Sequence, residues 1–173
     1  SRRRHTRYIS VTGVQTCALP ISRYPALERQ ARRHVRAILE KFKYVGVLTV
    51  EFFVENGVLL ANEMAPRVHN SGHWTIEGAV CSQFENHVRA IAGLPLGLTD
   101  PRGHSAMVNF VGSLPPRERA LAVKGLHFHD YGKREARPGR KLGHATVLAS
   151  SAAQRDRDRK STRLNSSHID ISR

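Results

Sequence analysis

Residues 47–64 constrain the fold more than any other stretch. Val47-Leu48-Thr49-Val50-Glu51-Phe52-Phe53-Val54 is a run of β-branched and aromatic residues, which predicts a strand. Glu55-Asn56-Gly57 follows, and Asn-Gly between apolar runs is the strongest short hairpin signal. Residues 58–64 then return as the partner strand. Glu51 interrupts the apolar run, and an acid inside such a strand needs a partner, a metal or an exposed face. A second acid, Glu63, follows Asn62 on the return strand.

Strand parity turns this pattern into a test. A regular two-residue loop at Asn56-Gly57 sets Glu51 against Asn62 and turns Glu63 to the other face. A three-residue loop, or a bulge further along, sets Glu51 against Glu63 on one face. Two acids meeting there can hold Mg²⁺, a hard cation that takes oxygen ligands and bridges to phosphates. The plainer alternative is two surface acids on a solvated sheet face. A regular turn with no bulge argues against shared coordination.

A helix is expected before the hairpin, with Pro25 in its first turn and Leu27, Ala31, Val35, Ile38, Leu39 and Phe42 on one face. Arg32, Arg33 and Arg36 then form a solvated face. Pro66 breaks the second strand, and residues 67–74 are a loop. Residues 75–80 begin a further helix, and a clearer one starts at Ser82, where Ser82-Gln83-Phe84-Glu85 matches a capping box. Phe84, Val88 and Ile91 are its expected buried stripe. Residues 106–111, 126–131 and 144–149 read as strands, with a turn across 112–119.

The loop after the hairpin carries Arg67, His69, Asn70, Ser71 and His73, a set suited either to an anionic small molecule or to satisfying its own backbone. Zinc at His69 and His73 requires helical spacing, which Pro66 and Gly72 oppose. Lys133, Arg134, Arg137, Arg140 and Lys141 flank Pro138-Gly139; a tight turn there can aim cations and N–H groups at one phosphate, or be a solvated basic loop. No Walker-type loop and no G-x-G-x-x-G occurs.

Net charge is +14, which raises the alternative of a basic nucleic-acid-binding module. Half of the excess lies in residues 1–22 and 154–173. Those ends resemble translated sequencing adapters (Val11-Thr12-Gly13-Val14-Gln15-Thr16-Cys17 in one, Lys160-Ser161-Thr162-Arg163-Leu164-Asn165 in the other) and are set aside as non-native or disordered. They lack the interleaved aromatics of a single-strand binder. No run approaches the ~20 apolar residues of a membrane span. Two cysteines, Cys17 and Cys81, make no disulfide framework, so reduced thiols in the cytoplasm are expected. Cys81 reads as a small packed hydrophobe.

Four strings carry a family resemblance: residues 45–54, Asn62-Glu63-Met64-Ala65-Pro66-Arg67-Val68-His69-Asn70-Ser71-Gly72-His73-Trp74-Thr75, Ser82-Gln83-Phe84-Glu85, and Arg137-Pro138-Gly139-Arg140-Lys141-Leu142-Gly143-His144. Together they resemble the N5-carboxyaminoimidazole ribonucleotide synthases of the ATP-grasp superfamily, purine-biosynthesis ligases, over roughly residues 23–153. The resemblance implies an α/β (α+β type) chain: the C-terminal part of an ATP-grasp fold at 23–100, an antiparallel sheet with packed helices, then a small β-rich subdomain at 101–153. It implies the cofactors ATP and Mg²⁺, with Glu51 and Glu63 as metal ligands and Asn62 and Glu63 beside the nucleotide. Arg67, His69 and Asn70 become catalytic residues bordering bicarbonate and aminoimidazole ribonucleotide. Lys133, Arg140 and Lys141 hold the ribonucleotide phosphate. It further implies no nucleic-acid or membrane partner and a homodimer for the intact enzyme. The family's N-terminal domain and ATP-covering lid are expected before residue 23, so the chain alone is predicted to be inactive. Another ATP-grasp ligase or carboxylase with the same two-acid site is the nearest alternative.

Overall fold

The computed structural model describes residues 9–12, 25–154 and 169–170. Cys17 and nearly all of both terminal segments lie outside the described residues. The elements run β1 (Ile9–Thr12), α1 (Pro25–Phe42), β2 (Thr49–Glu55), β3 (Val58–Ala65), a 3₁₀ turn (Asn70–Gly72), α2 (Thr75–Gly78), α3 (Gln83–Ile91), β4 (His104–Val111), α4 (Arg117–Leu121), β5 (Leu126–Asp130), β6 (Lys141–Ala149) and β7 (Ile169–Asp170). The fold is mixed α/β, with antiparallel pairing throughout both sheets. Two compact units divide it: Ser1–Gly72 with Cys81–Asp100, and His73–Val80 with Pro101–Arg173.

In the first unit the strand order is β1-β2-β3. Thus the end segment set aside above does contribute a described strand, Ile9–Thr12, paired along Thr49–Phe52. The central hairpin closes through Asn56 and Gly57, with φ of 50° and 79°. That is the two-positive pattern of a type I′ turn, whose twist matches that of the flanking strands. Helix α1 lays Ala31 and Val35 against Leu48, Val50, Phe52 and Leu59, with Leu27, Ile38 and Leu39 packed at the margin. Phe42, expected on that face, is 69% exposed. It is the last residue of α1, where the chain turns away through Lys43 at φ 49°.

Helix α3 corrects the sequence reading more sharply. Ser82 caps it as expected, accepting from the Glu85 N–H at 3.1 Å. The predicted buried stripe faces outward, however: Phe84 is 36% exposed, Val88 64% and Ile91 63%. The residues turned inward are Gln83 and Asn86. Polar groups can be buried when their hydrogen bonds are made. Asn86 exchanges two bonds with the Gly97 backbone, accepting at 2.8 Å and donating at 3.2 Å, and Gln83 grips the loop described below. Polar anchoring decides which face of this helix turns inward. Cys81 is buried as anticipated, and burial pushes its thiol pKa up.

The second unit holds a sheet of order β5-β6-β4-β7. Val108, Phe110, Ala120, Leu126, Ala145 and Val147 form its core, with Val123 and Phe128 packed alongside. Residues 112–119 were expected to be one turn; the first residues of α4 occupy its end, and the helix sets Ala120 into that core. Strand β6 begins at Lys141, three residues before the predicted start, and it carries buried Leu142 through Val147 between β5 and β4.

Candidate functional site

Along the hairpin the pairing runs Glu55↔Val58, Val54↔Leu59, Phe53↔Leu60 and Phe52↔Ala61, then shifts to Glu51↔Glu63. Asn62 is the extra residue of a bulge on β3. The turn is therefore the two-residue type, and the bulge alone brings Glu63 opposite Glu51. Bulges re-aim side chains and are enriched beside active sites. Opposed residues of an antiparallel pair share one face, with Cβ atoms about 5 Å apart. Glu63 is exposed and Glu51 half-buried. The Asn62 amide reaches Glu51 Oε2 at 3.4 Å, and His69 Nε2 stands 3.7 Å from Glu51 Oε1.

His69 is held from several directions. The Ser71 N–H donates to its Nδ1 at 3.3 Å, and the Ser71 hydroxyl lies 2.9 Å from the same atom. An Nδ1 that accepts leaves the proton of a neutral imidazole on Nε2, the atom facing Glu51. From α3, Gln83 Oε1 accepts from the His69 N–H at 3.0 Å while Gln83 Nε2 donates to the His69 carbonyl at 2.8 Å. This double grip on the main chain was not foreseen in the sequence; the only hint was a buried-capable amide in the first turn of a capped helix. Gly72 belongs to the same arrangement. A Cβ there would stand 2.6 Å from Gln83 Oε1, so only glycine lets the amide approach. Asn70 opens the 3₁₀ turn, and Arg67 is exposed, with Nη1 donating to the Val68 carbonyl at 3.1 Å.

The residues present suit Mg²⁺. That ion is bound through one or two carboxylates plus substrate phosphates and keeps several waters. Among the described residues no group of three or more His, Cys, Asp or Glu gathers as a cage for a metal. A pair of opposed acids at an exposed hairpin matches the sparse protein ligation of Mg²⁺ better than the closed cage of a structural metal.

In the second unit, the turn between β5 and β6 carries the cations. Lys133 Nζ donates to the Lys141 carbonyl at 2.6 Å and lies 5.5 Å from the Tyr131 ring centroid. Arg140 is anchored through its backbone: its N–H donates to Arg137 at 3.0 Å, and its carbonyl accepts from Gly112 at 2.9 Å. Lys141 opens β6 opposite Val111, where the β4 register shifts. Lys133 is exposed, and Arg140 and Lys141 are partly so. Arg134 and Arg137 are also exposed, and Arg137 pairs with Glu135.

Comparison with known proteins places this arrangement. A model of the ATP-grasp domain matches residues 5–84, and a model of the phosphoribosylaminoimidazole carboxylase C-terminal domain matches residues 105–158. An N5-carboxyaminoimidazole ribonucleotide synthase of Pseudomonas aeruginosa is 53% identical over 142 residues, 82% of this chain and 39% of that protein. The chain belongs to the N5-carboxyaminoimidazole ribonucleotide synthase family. The solved synthetase of Thermus thermophilus superposes with a TM-score of 0.83 at 42% identity, covering 94% of this chain and 51% of that one. A synthase of Aspergillus clavatus, solved in complex with ADP and 5-aminoimidazole ribonucleotide, superposes at 0.72 with 31% identity, covering 87% and 49%. The chain thus spans about two fifths to one half of the length of these relatives. Among the described residues no helix is long and apolar enough to cross a membrane.

Proposed function

We propose that this chain supplies the metal- and phosphate-handling part of an ATP-dependent, cytoplasmic carboxylating ligase of purine biosynthesis. The reaction joins 5-aminoimidazole ribonucleotide and bicarbonate at the expense of ATP, giving N5-carboxyaminoimidazole ribonucleotide, ADP and phosphate. The intact protein works as a homodimer. The observation that carries this reading is the bulge at Asn62, which sets Glu63 opposite Glu51 beside His69.

Glu51 and Glu63 hold Mg²⁺, with Asn62 beside the nucleotide phosphates. When bound, the ion neutralises charge on the transferred phosphoryl group. Positioning and electrostatics provide most of the catalysis in phosphoryl transfer. The remaining work falls to side chains of the chain itself. Arg67 offers a planar donor fork to bicarbonate or to the carboxyphosphate formed from it. His69, oriented by Ser71 and Gln83, keeps an N–H at Nε2 for an anionic neighbour. Asn70 adds an amide that can donate and accept. Lys133, Arg140 and Lys141 grip the phosphate of the ribonucleotide.

Manganese binding tests the acid pair. Electron paramagnetic resonance of Mn²⁺ with ADP should show bound ion with the 173-residue chain and free ion with E51Q or E63Q. Equal binding by the wild-type chain and both variants would sink the metal assignment. The same chain should show no ATP- and bicarbonate-dependent carboxylation of 5-aminoimidazole ribonucleotide; measurable turnover would overturn the expectation that more of the enzyme is needed.

A further inference from the structure

The cation-bearing turn of the second unit has a support beneath it that its phosphate-binding role does not by itself require. Tyr131 follows directly on β5. Its N–H donates to the Leu142 carbonyl at 2.9 Å, which extends the pairing with β6 by one residue. Its hydroxyl lies 2.8 Å from His144 Nδ1. His144 is only 2% exposed and sits in the middle of β6. The His129 imidazole, directly opposite across β5 and β6, stacks on it at 4.3 Å and 12° between planes. His73 lies at 5.4 Å on another side. His129 is itself tied to Glu77 at 2.6 Å. The Leu142 carbonyl therefore fixes the tyrosine at its backbone, and the stacked, buried His144 fixes it at its far end.

The tyrosine ring itself carries the consequence. Lys133 Nζ stands 5.5 Å from the ring centroid, within cation–π range, and is tethered to the Lys141 carbonyl. The turn between them is tight: the Asp130 carboxylate accepts from the Gly132 N–H at 2.9 Å. A lysine on a flexible four-carbon stem loses much rotamer freedom when it grips a phosphate. A ring held at its hydroxyl removes part of that freedom in advance, and preorganisation of this kind appears as affinity.

We infer that Tyr131, locked at its hydroxyl by His144, is a positioning residue that aims Lys133 at the ribonucleotide phosphate. The inference rests on the proposed role of Lys133 in that grip. It assigns to Tyr131 and His144 no contact with the ligand.

Ribose 5-phosphate is the probe, titrated calorimetrically into the full 173-residue chain and its variants. K133Q should weaken binding. Y131L should weaken it roughly two- to fivefold, the scale of an exposed cation–π contact. Combining Y131L with K133Q should cost no more than K133Q alone, because the tyrosine acts only through the lysine. In proton NMR, the Lys133 ε-methylene should be shifted upfield by the ring in the wild-type chain. It should remain so, though broadened, in Y131F, which keeps the ring and loses the His144 tether. A weakened K133Q with an unchanged Y131L, an additive double variant, or an unshifted Lys133 methylene overturns the positioning role alone. No binding by the wild-type chain, or an unchanged K133Q, removes the phosphate assignment and this inference with it. If Y131L does not fold, Y131F and the methylene shift decide the matter.

Discussion

Gln83 holds both main-chain polar groups of His69, accepting from its N–H at 3.0 Å and donating to its carbonyl at 2.8 Å. The two residues are fourteen positions apart, one on a loop and one in the first turn of α3. A loop residue is thereby tied to a helix, and Ser71 at Nδ1 then holds its ring toward Glu51.

Replacing Gln83 with leucine should therefore loosen the loop as well as the helix. It strands one backbone donor and one acceptor, for a cost of about 1–3 kcal/mol. Urea unfolding should show the loss. A Q83L midpoint equal to that of the wild-type chain would mean that solvent replaces the amide without penalty.

Gly72→Ala tests the same contact from the other side. The added Cβ would meet Gln83 Oε1 at 2.6 Å, and moving the buried Gln83 amide away would break its two bonds to the His69 main chain. The expected destabilisation is about 1–3 kcal/mol, the usual range for an overpacked site. Measured together with Q83A, the two losses should fail to add, since alanine in place of Gln83 lacks the δ-carbon and amide that the new methyl strikes.

His144 makes stability depend on acid. Burial, reinforced by the neighbouring His129 and His73, pushes its pKa from the ordinary 6.5 down to about 3. Its Nε2 is buried without a hydrogen-bond partner, so a proton there has nowhere to be received. A folded-state pKa below the unfolded value gives a contribution that is fully present above about pH 6.5 and drains as the pH falls toward 3. The slope of that loss is about 1.4 kcal/mol per pH unit for one proton. H144F should unfold at similar urea concentrations in neutral solution and mild acid once other titrations are subtracted. A slope in H144F as steep as in the wild-type chain would assign the acid sensitivity elsewhere.

The outward stripe of α3 predicts stickiness with little contribution to stability. Phe84, Val88 and Ile91 neighbour one another at helical spacing and lie exposed. Changing Val88 and Ile91 to lysine should alter stability by less than about 0.5 kcal/mol each, as for ordinary surface sites. Light scattering at high protein concentration should fall, because contiguous exposed apolar surface drives association. A large stability loss would show that the stripe is covered in solution.

Much of this molecule was legible before any coordinates. The β-branched run, Asn56-Gly57 and the second apolar segment specify a hairpin because strand propensity and a type I′ turn are local properties. Ser82 and Glu85 announce the start of α3 for the same reason: a cap is made within one turn. The strings around Asn62–Thr75 and Arg137–His144 likewise carried the family, since its chemistry is written in side-chain identity.

Other features depended on contacts that no local pattern encodes. Parity along the hairpin left two registers open, and only the bulge at Asn62 brought Glu63 across from Glu51. Periodicity in α3 pointed the apolar stripe inward, yet two amides found backbone partners at His69 and Gly97 and turned the helix over. The stack of His129 on His144 joins β5 to β6 at positions fifteen residues apart, and the tyrosine lock follows from it. Propensity and capping act between near neighbours and can be summed along a chain. Register, helix facing and buried polar pairing are settled only when distant segments compete for the same hydrogen bonds.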